Sequence, residues 1–152
     1  MTVLTNVAEY FIDNGGKDVS LVAHTKGKTK SESYYTNKNK FKDFIEQVVI
    51  IGDQNTASAS ECLIGALVYY GRCDISNVVV EKNSSGVAKT YGKGIMQTTY
   101  QFLSGDAFKL TTARIFWPDK TTCIHGKGVT LDMGAVASER GKGLEKAISL
   151  FN

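Results

Sequence analysis

The chain has 152 residues, 42% of them hydrophobic and 22% charged, with a formal net charge of +3 at neutral pH. That composition excludes a disordered or fibrous chain, and the length predicts one domain, residues 1–152, able to bury roughly 70% of its unfolded surface without staples. No apolar run approaches the roughly 18 to 20 residues that span a bilayer, and MTVLTNVAEYFIDNGG carries acidic residues where a secretory leader needs positive charge, so a cytoplasmic protein with no membrane association is expected.

In chain order, Val3, Val7, Tyr10 and Phe11 fall at helical spacing and predict a helix of about three turns, with Thr2 or Thr5 as cap and Gly15-Gly16 as stop. VSLVAH then reads as a buried strand ending at His24. In NKNKFKDFIEQVVIIG, Phe41, Phe44, Ile45, Val48 and Val49 recur at i, i+3, i+4, i+7 and i+8, which predicts a helix capped by Asn37 and ended by Gly52. Ser58 and Glu61, three apart before an apolar run, have capping-box spacing, and a third helix, apolar almost all round, should run to Gly71 in the interior.

From Asp74 the period shifts to that of strands: SNVVVEK, a turn at NSSG, VAKTYGKGIMQTTYQFL, a turn at SGD, then KLTTARIFW. Pro118 opens the turn PDK, and TTCIHGKGVTLD reads as a further strand whose two glycines suggest a bulge or a close backbone approach. A helix from about Leu144 closes the chain. The pattern predicts an α+β fold, an antiparallel sheet with helices packed on one face.

The three cysteines, Cys62, Cys73 and Cys123, are odd in number and lack CxxC spacing, so they read as buried thiols, and with His125 they do not make up a zinc ligand set. Neither GKGVT nor RGKGLEK has the spacing of a phosphate loop, and no cofactor is implied. GKGIMQTT, residues 92–99, resembles the GLMQ turn of lytic transglycosylases over four residues, but the glutamate-serine pair those enzymes carry upstream is missing, since Glu61 is followed by Cys62 and reads as a cap.

The charge is uneven. Residues 24–42 hold six lysines (Lys26, Lys28, Lys30, Lys38, Lys40, Lys42) against Glu32, a basic segment on a nearly neutral body. Both histidines of the chain stand in the same local pattern, His24-Thr25-Lys26-Gly27 and His125-Gly126-Lys127-Gly128. Two imidazoles on opposite sides of a phosphate, with lysines against its oxygens, are the parts of metal-independent phosphodiester cleavage. His24, His125, Lys26 and Lys127 are therefore the candidate catalytic residues, while Lys28, Lys30, Tyr34, Tyr35, Lys38 and Lys40 are the candidate contacts to an anionic ligand, nucleotide or nucleic acid.

The competing explanation is coincidence in a chain rich in lysine and glycine. Two-histidine phosphoesterases also place a hydroxyl two residues after each histidine, where this chain has Lys26 and Lys127. The function expected from these residues is a small phosphodiesterase or ribonuclease. The alternative is a non-catalytic binding or inhibitor protein, such as a phage accessory factor, that uses the Lys/Tyr segment against a nucleic acid or an acidic partner.

Overall fold

A computed structural model describes residues 1–13, 19–37, 40 and 47–151. Helix α1 (Thr2–Ala8) leads into strands β1 (Leu21–Gly27) and β2 (Ser31–Tyr35); β3 (Ile50–Gly52), α2 (Ala59–Tyr69) and β4 (Val78–Glu81) follow. The long hairpin β5 (Ile95–Gln101) and β6 (Ala107–Phe116) comes next, then β7 (Val136–Ser138) and α3 (Gly143–Ile148). The predicted α+β fold forms. Its main sheet is antiparallel, in the order β2-β1-β6-β5, and α1 and α2 pack against β1.

A second sheet, which the sequence pattern does not anticipate, is parallel, in the order β3-β4-β7, with α3 against β3 and β4. Parallel neighbours need a crossover, and α2 supplies it between β3 and β4. The central strand β4 reads Val-Val-Val, each fully buried, as a strand covered on both faces requires. Val22, Ala23, Ile64, Leu67, Ile115 and Trp117 belong to one buried hydrophobic core, to which β1, α2 and β6 contribute. The interior character of α2 follows from its neighbours. A β-carbon at Gly65 would fall 2.2 Å from the Trp117 ring, so the indole lies directly on the helix backbone at that turn.

Two predicted elements are replaced. Of the helix expected over residues 37–52, residues 38, 39 and 41–46 lie outside the described residues, but Ile50–Gly52 is strand β3. The run Val48-Val49-Ile50-Ile51 is continuously β-branched; its side chains favour extended backbone, and a continuous apolar run satisfies a helical template without specifying it. The strand expected over TTCIHGKGVTLD is a series of turns. Asp119 Oδ1 accepts from the N–H groups of Thr121 and Thr122 (2.9 Å each), and Ile124 O accepts from those of Lys127 and Gly128 at 3.0 and 2.8 Å. The close approach that its glycines suggested is present: a β-carbon on Gly128 would lie 2.3 Å from Thr90 O, and one on Gly92 2.8 Å from Gly128 N. Segments 90–94 and 124–128 thus interlock backbone to backbone.

Among the described residues no helix is long and apolar enough to cross a membrane. Cys62 and Cys73 are buried thiols, as expected, and burial pushes them up to about 12 and about 11.

Candidate functional site

The turn from β3 into α2 is held by Asp53, whose Oδ1 accepts from the N–H groups of Asn55 (2.9 Å) and Thr56 (3.0 Å). Burial opposes its charge, but these donors prevail and hold the carboxyl below its ordinary value. The chain then reaches Ser58 with φ 57° and ψ −113°, a backbone conformation unfavourable for any residue with a β-carbon. Only one other non-glycine among the described residues, Lys120, has positive φ. A serine at a strained corner between a strand and a helix is lifted out of the regular structure, with its hydroxyl beside the positive end of the helix.

What maintains this corner is Glu61, a carboxylate with no exposed surface. Its Oε2 accepts from Ser58 N–H (2.8 Å) and from Lys93 N–H (2.9 Å); its Oε1 accepts from the Thr90 hydroxyl (2.5 Å) and Gly92 N–H (2.7 Å). Thr90 Oγ1 in turn accepts from Val129 N–H at 2.7 Å, and Tyr91 N–H donates to Thr56 O at 2.9 Å. A buried charge persists only where donors surround it, and these donors come from two distant segments. Glu61 is thus more than the cap its spacing predicts. Because one oxygen binds the backbone of both Ser58 and Lys93, their two nitrogens are no farther apart than those two bonds laid end to end.

Ser58 and Lys93 line one hollow of about 400 Å³ together with Gln97, Thr99 and Lys109. Lys93 also lines a neighbouring hollow of about 570 Å³ with Asn55, Ala57, Tyr91, Gln97 and His125. The lysine is exposed and makes no ion pair among the described residues. A hydroxyl on a strained corner at a helix N-terminus and an amine lining the same hollow are the components of nucleophilic acyl transfer.

The residues singled out in the sequence are dispersed. His24 and Lys26 lie on β1, where His24 Nδ1 is 3.0 Å from Ser33 Oγ, a cross-strand neighbour in register. His125 and Lys127 lie in the interlocking turns; His125 Nδ1 is buried with no hydrogen-bond partner, and the hollow His125 lines does not include His24. Much of the basic segment is a β-hairpin with internal partners. Lys30 pairs with Glu32, which also accepts from Tyr34 Oη at 2.9 Å, and Lys40 pairs with the buried Glu9 at 2.8 Å and lies over the Tyr10 ring. Lys28 and Tyr35 are exposed, and Lys38 lies outside the described residues. The signal for Ser58 was present as strand, turn, serine, helix, but the expected helix over residues 37–52 concealed the strand.

The model of peptidase family S41 matches residues 1–135. A probable CtpA-like serine protease of Staphylococcus epidermidis is 36% identical over 129 residues, covering 84% of this chain and 23% of that protein. The protein of the same description from Staphylococcus aureus is 34% identical over 128 residues, with the same coverage. Among solved structures, the photosystem II D1 C-terminal processing protease superposes with a TM-score of 0.69 at 24% identity, over 98% of this chain and 34% of that one, a likeness of fold. The chain therefore spans about a quarter of the length of these curated relatives. These matches overturn the expected phosphodiesterase or ribonuclease, its RNA-binding character and its non-catalytic alternative. The repeated His-x-Lys-Gly pattern that suggested them falls once on strand β1 and once in the turns around residues 125–128.

Proposed function

The chain belongs to peptidase family S41, and from that premise we propose that it carries the reactive centre of a serine peptidase, with Ser58 as nucleophile and Lys93 as its base. The observation that supports this most strongly is the shared carboxylate oxygen of Glu61, which fixes the backbone of both residues at the mouth of one hollow while Ser58 is held at φ 57°. Ser58 Oγ attacks the carbonyl carbon of a peptide bond as the neutral amine of Lys93 takes its proton. The negative charge formed on the carbonyl oxygen faces the start of α2, where the Ala59 N–H is the donor on offer, since the N–H groups of Ser60 and Glu61 are bonded to Ala57 O and to the Ser58 side chain. Collapse breaks the C–N bond, the Lys93 ammonium returns the proton to the leaving amine, and water then releases the acyl group from Ser58 by the same proton transfers.

His24 and Ser33 form the other hydroxyl-base pair of note, but they are neighbours on extended strands, without strain at the serine or a helix N-terminus beside it. The deciding experiment is hydrolysis of reduced, carboxymethylated casein. Ser58→Ala should abolish cleavage and Lys93→Ala should lower it about 10²-fold or more, each with the melting transition retained. Undiminished cleavage by either variant would remove that residue from the reaction.

A further inference from the structure

The hollow of about 570 Å³ shares Lys93 with the one that contains Ser58, and its lining includes Ala57, the residue before the nucleophile, together with Asn55, Tyr91 and His125. Among the described residues no acid lines it. Backbone contacts set His125 against Lys93. Gly126 N–H donates to Gly92 O at 2.9 Å, and a β-carbon on Gly94 would lie 2.7 Å from His125 N, so both neighbours of Lys93 rest on the His125 turn. A side chain adjoining the scissile bond of a peptide at Ser58 therefore has this hollow within reach. The acyl-transfer steps use neither His125 nor Asn55.

His125 is half-buried; its Nδ1 is closed off from solvent without a hydrogen-bond partner, whereas its Nε2 is not closed off. In a neutral imidazole one nitrogen donates and the other accepts, and a proton on Nδ1 would be buried with nothing to receive it. The neutral ring therefore carries its proton on Nε2, a donor with no acceptor among the described residues. Asn55 supplies the converse. Its Nδ2 donates to Asp53 Oδ2 at 3.3 Å, and because a carboxylate only accepts, that bond orients the amide and leaves Oδ1 as an acceptor. A donor and an acceptor lining one hollow match a carboxamide, which offers a carbonyl oxygen and an N–H2 group. A carboxylate matches the donor alone and, beside Lys93, would favour the ammonium over the neutral amine that takes the Ser58 proton. An alkyl side chain would leave the His125 donor unpaired once water is displaced.

We propose that this hollow is a side-chain specificity pocket in which His125 and Asn55 select a carboxamide, so that the bond cleaved adjoins a glutamine or asparagine. This rests on the peptidase reading of Ser58. His125 Nε2–H donates to the side-chain carbonyl oxygen of the substrate, and the N–H2 group of that side chain donates to Asn55 Oδ1. A site built to bond a polar side chain discriminates strongly against the analogue that lacks it, because its own groups are then left without partners.

The test compares end-blocked alanine octapeptides that carry one central glutamine, glutamate or leucine, with the cut bonds mapped by mass spectrometry. At the bonds adjoining the central residue, kcat/KM for glutamine should exceed that for leucine about tenfold and that for glutamate about threefold or more. His125→Leu should bring the glutamine-to-leucine ratio to about one, whereas His125→Gln, whose amide N–H2 reaches where Nε2–H stood, should keep it above about threefold. A ratio below about twofold in the unaltered chain overturns the proposal, as does glutamate cut as fast as glutamine or a ratio that survives His125→Leu. If His125→Leu does not fold, nitrogen NMR of the Ser58→Ala chain decides in its place. The His125 Nε2 resonance should shift on titration with the glutamine peptide and not with the leucine peptide; a resonance unmoved up to millimolar glutamine peptide overturns the proposal. A glutamine-dependent shift in a chain whose cleavage ignores Ser58 refutes the peptidase reading and leaves the pocket, and Ser58-dependent cleavage of glutamine and leucine peptides alike does the reverse.

Discussion

The hairpin β1–β2 and the corner between β3 and α2 make an instructive pair. The hairpin holds a histidine, a nearby serine and a cluster of lysines, yet its groups serve one another: His24 meets Ser33, Lys30 meets Glu32, and Tyr34 donates to Glu32. The corner shows only a serine and a glutamate at capping distance, but there the backbone is strained and a buried carboxylate draws in a second segment. Reactive residue types are common on surfaces. Strain that is maintained by a buried charge is rare, and it marks the site better than composition does.

The contrast is sharpest in turnover. Ser58→Ala should lower kcat about 10⁴-fold or more, while His24→Ala leaves it within about twofold; a reversal of that order in peptide hydrolysis would move the site to the hairpin. Lys93→Ala should cost about 10² to 10⁴ in kcat, and Lys93→Arg should not rescue it, because a guanidinium does not give up its proton at any pH the fold survives. Steady-state rates of the two variants on one peptide check both statements.

Glu61→Ala should act on the fold as well as on the rate. It leaves three backbone N–H groups and the Thr90 hydroxyl without their acceptor, at about 1–3 kcal/mol for each group that stays buried, so urea denaturation should show a loss of at least about 3 kcal/mol. Ser58→Gly should do the opposite, abolishing turnover while raising the thermal midpoint by about 2–4 °C, because glycine relieves the strain at φ 57°. A lowered midpoint would mean that the corner is unstrained. The smallest effect concerns the thiols. With Cys62 buried and pushed up to about 12, iodoacetamide at pH 8 should label the half-buried Cys123 first and leave Cys62 intact until the chain unfolds, as mass spectrometry of the peptides would show.

The legible part of this chain was its local order. The period shift at Asp74, the turn at NSSG, the hairpin around SGD and the interior helix after Ser58 all form because each is specified by neighbours in sequence. The parallel sheet was not legible, since β3 and β7 are three residues each and their pairing with β4 is set by tertiary contact. The site failed for a related reason. Ser58 and Glu61 read correctly as a helix start, but Glu61 reaches across 32 residues to Lys93, and no spacing rule encodes that bond. The glycines around Lys93 read only as part of the strand VAKTYGKGIMQTTYQFL, whereas Gly92 is where two backbones meet.

The central claim is that Ser58 is the reactive nucleophile and that Lys93 activates it. It is tested most directly by treating the chain with a peptidyl p-nitrophenyl ester, quenching in acid and mapping the acyl group by mass spectrometry. The account predicts one acyl group on Ser58, absent when Lys93 is alanine. Acylation of Ser33 or Ser60 instead, or labelling of Ser58 that persists unchanged without Lys93, would contradict it.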